Sequence, residues 1–343
     1  MKMIFSLLEK NLLPDFLIRA GIRVLLQSRL DEENRGSLEK NKIHLMNYID
    51  GLKKSPIAVN TKDANEQHYE VPTEFYKLCL GKRLKYSGGL WDENANTLDK
   101  SEEAMLKLSC ERAELKDGHE VLDLGCGWGS LTLYIAEKFP KCKITSVSNS
   151  KTQKEFIDSV CKEKGFKNVQ VITADMNVFT TKKKFDRLMS VEMLEHMKNY
   201  EVLFAKFASF MKEDALFFVH IFTHKQYAYA FEVKDETDWM SKYFFTGGQM
   251  PSDDLFHYFQ KDLLLTNHWI VNGTNYQKTS EAWLSKMDEH KNEILPIFET
   301  TYGKENATKW WVYWRVFYMA CAELWGFRGG EEWLVSHYLF KKR

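Results

Sequence analysis

The stretch Val121-Leu122-Asp123-Leu124-Gly125-Cys126-Gly127-Trp128-Gly129 decides the fold. An apolar run of strand length passes directly into alternating glycines, and the amphipathic segment Ser130 to Lys138 follows as a helix. Such a turn needs glycine where the backbone takes angles that a Cβ blocks and where a ligand approaches main-chain N–H groups closely. The spacing Gly-x-Gly-x-Gly departs from the dinucleotide fingerprint Gly-x-Gly-x-x-Gly and lacks the Lys-Ser/Thr of a phosphate loop. Asp123 places a fixed carboxylate beside the turn, which suits a cationic group such as an amino-acid ammonium and repels a pyrophosphate.

Working outward, the chain has 343 residues, enough for one large domain with appendages or two modest ones. Aromatic residues make up 14%, more than core filling requires, so some are expected to line a pocket. Lys plus Arg and Asp plus Glu are both 48, a balance that provides no overall field to attract nucleic acid. The six cysteines form no Cys-x-x-Cys pair and no metal-ligand spacing with histidine, and they read as reduced thiols of a cytoplasmic protein without a metal site. Met1 to Leu13 is interrupted by Glu9 and Lys10 and lacks a small-residue cleavage site, which reads against a secretory signal. No run reaches membrane-spanning length. Asp15 to Leu30 forms an amphipathic pattern with Arg19, Arg23 and Arg29 off the apolar side. That helix is expected to dock on its own domain or on a second subunit as a homodimer, with a membrane surface as the alternative.

Residues 1–70 read as an N-terminal helical cap. From Val71 the pattern alternates short apolar runs with amphipathic segments, the signature of an α/β sheet running to residue 343. Candidate strands are Glu120 to Leu124, Lys143 to Val147, Val169 to Thr173, Phe185 to Val191, Ala215 to Ile221, Leu263 to Asn272 and Glu332 to Phe340. Ligands of such sheets bind beyond the carboxyl ends of the parallel strands. Between the fifth and sixth strands, residues 224–261 are rich in aromatics and acids and read as an inserted lid. A helical block, 280–324, carries Trp310-Trp311-Val312-Tyr313-Trp314-Arg315-Val316-Phe317.

The stretch 121–129 resembles motif I of class I S-adenosylmethionine methyltransferases. Gln67-His68-Tyr69-Glu70, Leu84-Lys85-Tyr86-Ser87, Ser148-Asn149-Ser150 with Gln153, and Val191-Glu192-Met193-Leu194-Glu195-His196-Met197 stand around it in one order. Together they resemble the cyclopropane fatty acid synthase-like superfamily. The tail from Tyr313-Trp314-Arg315 through Glu331-Glu332-Trp333-Leu334-Val335-Ser336-His337 is most similar to its coclaurine N-methyltransferase branch. The resemblance runs from about residue 65 to the C-terminus. It implies a Rossmann-like fold with a seven-stranded, mostly parallel sheet, S-adenosylmethionine as cofactor and N-methylation of a small amine. It also keeps a lipid-modifying cyclopropane synthase as an alternative. In that branch a cysteine that helps to hold a bicarbonate base usually follows the Tyr-Ser motif, and Gly88-Gly89 stand here instead.

By the same resemblance Tyr86 and Ser87 close over the methionine part of the cofactor, Gly125 and Gly127 present backbone groups to it, and Asn149 and Gln153 hold its ribose diol. Asp123 balances the cofactor ammonium, and Asp175, after the third strand, accepts from the adenine amino group; turn or cap duty is the rival for Asn149, Gln153 and Asp175. Glu195 and His196 are the expected catalytic pair. Only a neutral amine has the lone pair to attack a sulfonium methyl, and a carboxylate with an imidazole can take its proton. Glu192 and His220 are further substrate candidates, as is His224. Trp239, Phe244, Tyr313, Trp314 and Phe317 are expected to form an aromatic box for a flat cation, with plain core packing as the rival.

Overall fold

A computed structural model describes residues 2–58, 71–233 and 238–343, with side chains from residue 5 on. The motif Gln67-His68-Tyr69-Glu70 lies outside the described residues. Seven strands form one sheet: β1 (Glu120–Leu124), β2 (Lys143–Ser148), β3 (Val169–Thr173), β4 (Phe185–Val191), β5 (Met211–His224), β8 (Leu263–Val271) and β9 (Trp333–Lys342). Their order is β3-β2-β1-β4-β5-β9-β8. β9 pairs antiparallel with both neighbours and the remaining pairs are parallel. This is the expected seven-stranded, mostly parallel arrangement. A separate two-stranded ribbon, β6 (Tyr229–Ala230) with β7 (Gln249–Met250), sits in the segment between β5 and β8.

Alternation along the strands builds two cores. Val121, Met189, Phe218 and Leu339 pack on one face with Leu106 and Cys110 of the helix Leu98–Arg112 and Leu131 and Ile135 of the helix Ser130–Lys138. Their chain neighbours Leu122, Leu188, Phe217 and Phe340 point the other way, onto Leu203, Phe204 and Phe207 of the helix Tyr200–Phe210 and Leu45, Ile49 and Leu52 of the helix Leu38–Lys54. All six cysteines are free thiols.

A third, aromatic cluster lies over the carboxyl ends of β1 and β4. It gathers the helices Asp15–Glu33, Thr73–Cys79, Thr274–Glu289 and Ala307–Gly326. The helix Asp15–Glu33 docks on its own chain. Arg19 makes hydrogen bonds of 2.6 and 2.8 Å to both carboxylate oxygens of Glu281, and one of 3.0 Å to Glu323. Arg315 ties Asp15 to Asp288 in the same way. Forked pairs of this kind fix orientation as well as position.

Candidate active site

The carboxyl ends of β1 and β4 open into a cavity of about 940 Å³. Its floor is the glycine-rich turn. Gly125 takes φ +79°, and a Cβ there would stand 2.5 Å from Met193 Cγ; Gly127 takes φ +52° with open space where its Cβ would be. Glycine at 125 is therefore dictated by both conformation and contact, whereas at 127 it keeps the backbone accessible. Asp123 is buried, accepts a 2.6 Å hydrogen bond from the Thr132 hydroxyl, and is pushed up to about 6 by burial.

Around this turn, Trp128 Nε1, Ser130 Oγ and Gln153 Nε2 line the cavity, buried and without a hydrogen-bond partner among the described residues. Gln153 is oriented by Ser148, whose hydroxyl donates to its Oε1 at 2.6 Å. Unpaired buried polar atoms are costly, and in a cavity wall they mark where a polar ligand makes the missing bonds. Tyr86 and Ser87 also line the cavity. Lys85 is fully buried behind them: its ammonium donates to Ser87 Oγ at 2.5 Å and to the Gly88 carbonyl at 2.7 Å, and burial pulls it down to about 8. Lys85 stood within the quoted motif without an assigned role; a lysine between a tyrosine and a leucine in an apolar setting was the available signal. The structure does not bring Asn149 or Asp175 into the cavity wall. Asn149 is exposed beside the start of the helix Lys151–Lys164, and Asp175 accepts a 2.7 Å hydrogen bond from the Asn177 N–H, the turn duty that competed with adenine binding.

The chain leaves β4 at Glu192 in a left-handed conformation, φ +47°, and closes into a single turn of 3₁₀ helix, Leu194–His196. A non-glycine residue in that region is strained, and the strain here turns Glu192, Glu195 and His196 toward the same cavity. Glu192 accepts from the Tyr276 hydroxyl at 2.8 Å and, at 3.4 Å, from the Gly88 N–H, and its Oε1 lies 3.2 Å from His220 Nε2. Burial pushes its carboxyl up to about 7, against the pull of Lys85. Glu195 is 2% exposed, its Oε2 has no hydrogen-bond partner among the described residues, and burial together with the neighbouring Glu192 holds it well above the usual carboxylate range. The His196 ring stacks 6.5 Å from Phe245.

The aromatic walls differ from the expected box. Trp239 and Phe317 line the cavity, as do Phe222, Tyr229, Phe231 and Trp325. Phe244, Tyr313 and Trp314 do not. Phe244 is fully buried and stacks on the outer side of Phe317 at 4.4 Å, Trp314 packs against Phe75 at 4.7 Å, and the Tyr313 hydroxyl donates to Glu9 at 2.6 Å. These rings support the wall from behind. His220 is likewise one layer back, touching Glu192 and His337. His224 is farther off, its Nδ1 accepting backbone N–H bonds at 3.0 and 2.8 Å and its Nε2 3.2 Å from Glu332. Tyr276 and the lining residues of the helix Asp15–Glu33, among them Ile18, Gly21 and Ile22, had no prior assignment to the site. Their positions are products of tertiary docking.

Residues 58–329 match the family model of mycolic acid cyclopropane synthetase. Along 340 residues the chain is 42% identical to (S)-coclaurine N-methyltransferase of Thalictrum flavum subsp. glaucum, covering 98% of this chain and 94% of that protein. The chain belongs to the coclaurine N-methyltransferase branch of this family. Pavine N-methyltransferase of the same plant is 39% identical, with 98% and 95% covered. A crystal structure of coclaurine N-methyltransferase bound to N-methylheliamine and SAH superposes with TM-score 0.96 at 39% identity, covering 99% of each chain. The cyclopropane synthase MmaA2 from Mycobacterium tuberculosis, at 20% identity and TM-score 0.69 over 84% of this chain and all of that one, shares the fold of the family.

Proposed function

We propose that this chain transfers a methyl group to the nitrogen of a small cyclic amine of benzylisoquinoline or tetrahydroisoquinoline type, or of a simpler arylalkylamine. The chain is an S-adenosylmethionine-dependent N-methyltransferase, as are the relatives that cover nearly its whole length. The observation that carries the amine reading is the placement of two buried carboxyl groups, Glu192 and Glu195, with His196 in the wall of an otherwise aromatic cavity. Buried acids with no internal cation to neutralise both call for a cationic ligand.

S-adenosylmethionine, when bound, supplies an electrophilic methyl carbon; Tyr86, Ser87, Asp123, Gln153 and the turn 125–129 would hold it. The remaining work belongs to the chain. A secondary amine arrives as an ammonium, and its charge is accepted between Glu192 and Glu195. Glu195 Oε2, unpaired and buried, takes the proton, and His196 at the cavity edge passes it outward. The neutral nitrogen so formed is held against Trp239 and Phe317, which exclude water and present π faces to the cationic product.

The helices up to residue 54 act in this reading as a cap and residues 224–261 as a lid, with Phe231, Trp239 and Phe245 among the lid residues that meet substrate. Six free cysteines support operation in the cytoplasm. Exposed Phe16, Leu17 and Val24 on the helix Asp15–Glu33 are where a homodimer would form. Among the described residues no helix is long and apolar enough to cross a membrane.

Mass spectrometry of products made with trideuteromethyl S-adenosylmethionine tests the reaction. A tetrahydroisoquinoline product that keeps all three deuterium atoms is expected. A phospholipid product that keeps two, with no amine product, would mean cyclopropane formation and sink the reading.

A further inference from the structure

Behind the cavity, on the side of the sheet covered by the helix Leu98–Arg112, four side chains form an unbranched hydrogen-bonded chain. Arg112 Nη1 lies 2.7 Å from His337 Nδ1, His337 Nε2 lies 2.9 Å from His220 Nδ1, and His220 Nε2 lies 3.2 Å from Glu192 Oε1. His220 on β5 and His337 on β9 are directly opposed in register, and both are essentially fully buried. Arg112 ends its helix half-buried, stacked over the Trp269 ring at 5.0 Å, with no carboxylate ion pair among the described residues.

We propose that Arg112 and His337 are positioning residues that fix His220 in the tautomer whose Nε2–H donates to Glu192, and so keep that carboxyl an acceptor toward the amine. The proposal rests on the N-methylation reading above. Its logic is one of counting protons. A guanidinium has five donors and no lone pair to offer, so His337 Nδ1 must accept. A neutral imidazole has one N–H, so the proton of His337 is on Nε2 and is donated to His220 Nδ1. By the same rule the proton of His220 is on Nε2 and is donated to Glu192 Oε1. Burial holds both rings well below the usual histidine range, which disfavours an imidazolium that would break the count. The direction of the whole chain is therefore set at its far end, by Arg112, two imidazoles away from Glu192.

The opposite direction would harm the site. With the proton of His220 on Nδ1, a bare ring lone pair would stand 3.2 Å from Glu192 Oε1. The carboxyl could then remain only by keeping its own proton and donating it to the ring, in which state that oxygen no longer accepts from an ammonium. The Tyr276 hydroxyl and the Gly88 N–H already donate to Glu192, and an Nε2–H on His220 adds a third donor to the same carboxyl. The other titratable groups facing it are Lys85, Glu195 and Cys321, so its protonation is a property of that cluster.

Long-range ¹H–¹⁵N spectra of the full-length protein labelled at histidine read the tautomers directly, with His220→Gln and His337→Gln used to assign the signals. Both rings are expected to be neutral with the proton on Nε2 between about pH 6 and 9. In Arg112→Met the His220 signal is expected to move toward the Nδ1–H form. At pH 7, kcat/KM for the amine is expected to fall at least about ten-fold with its acid limb displaced to higher pH. Arg112→Lys, still donor-only, is expected to retain the wild-type tautomers and limb. A wild-type protein with the Nδ1–H form or an imidazolium at either histidine overturns the proposal even if Arg112→Met fails to fold. Unchanged tautomers and an unchanged limb in Arg112→Met overturn it as well. If no amine is methylated, the reaction assignment fails while the tautomer spectra still decide the direction of the chain.

Discussion

Tyr276 donates a 2.8 Å hydrogen bond from its hydroxyl to Glu192 Oε2 across 84 residues of sequence. The Tyr276 ring is held independently, stacked on Trp325 at 4.8 Å and 2°. Removing the hydroxyl therefore leaves the ring in place and takes one donor from the carboxyl. Tyr276→Phe is expected to lower kcat/KM for the amine about ten-fold and to move its acid limb to higher pH, measured by initial rates between about pH 6 and 9.

The two acids should separate kinetically. If Glu195, with its unpaired oxygen, takes the proton as proposed, Glu195→Gln is expected to lower kcat about a hundred-fold or more with KM little changed. Glu192, with a donor on each oxygen, is proposed to bind the cation, so Glu192→Gln is expected to act chiefly on KM. Equal losses of kcat in both variants would assign them a shared role instead.

Burial raises Glu192 from the usual glutamate range to about 7. A group that binds its proton more tightly in the folded state stabilises the fold fully at low pH, and that contribution is lost as pH rises toward the folded value. Wild-type ligand-free protein is therefore expected to lose melting temperature relative to Glu192→Gln as pH goes from about 5 to 8. A cationic amine, which favours the ionised carboxylate, is expected to restore more stability at pH 8 than at pH 6. Scanning calorimetry of both proteins across this range checks the sign.

Trp239 and Phe244 are close in sequence and differ in duty. Trp239→Ala is expected to raise KM for the amine several-fold with a small loss of melting temperature, because its ring faces the cavity. Phe244→Ala removes a fully buried ring that stacks on Phe317 and is expected to cost about 3–5 kcal/mol of stability, read by denaturant titration.

At the turn, Gly125→Ala meets both a left-handed backbone and Met193, and is expected to abolish binding of S-adenosylhomocysteine by calorimetry. Gly127→Ala meets open space, so only its backbone strain, about 1 kcal/mol, and crowding of the ligand remain. Its affinity is expected to fall by a smaller factor with the fold retained.

The sheet was legible because each of its strands is an apolar run bounded by turns, and parallel strands covered on both faces leave that signature. β5 extends three residues beyond the expected Ile221, to His224, because β9 continues to pair with it through Leu334 and Trp333. The ribbon of β6 and β7 has two residues per strand, too few for a period to appear. Within the site, the position of the glycine turn and of Glu195 and His196 at the cavity was legible because each follows directly on the end of a strand. The helix Ala307–Gly326 is aromatic on every side, so its sequence has no phase to say that Phe317 faces the cavity and Tyr313 and Trp314 do not. His337 lies 117 residues from its partner His220, and their meeting depends on the register of two antiparallel strands.

The two forks that Arg19 and Arg315 make tie the helix Asp15–Glu33 across the mouth of the cavity, while every carboxyl and imidazole of the site is delivered by the sheet and its loops. One wall of the cavity thus comes from a part of the chain that carries none of its acid–base groups. Exchanging Ile18, Gly21 or Ile22 for larger or smaller residues is expected to reshape that wall while leaving Glu192, Glu195 and His196 in place. In an enzyme built this way, a change of acceptor can begin at the doorway.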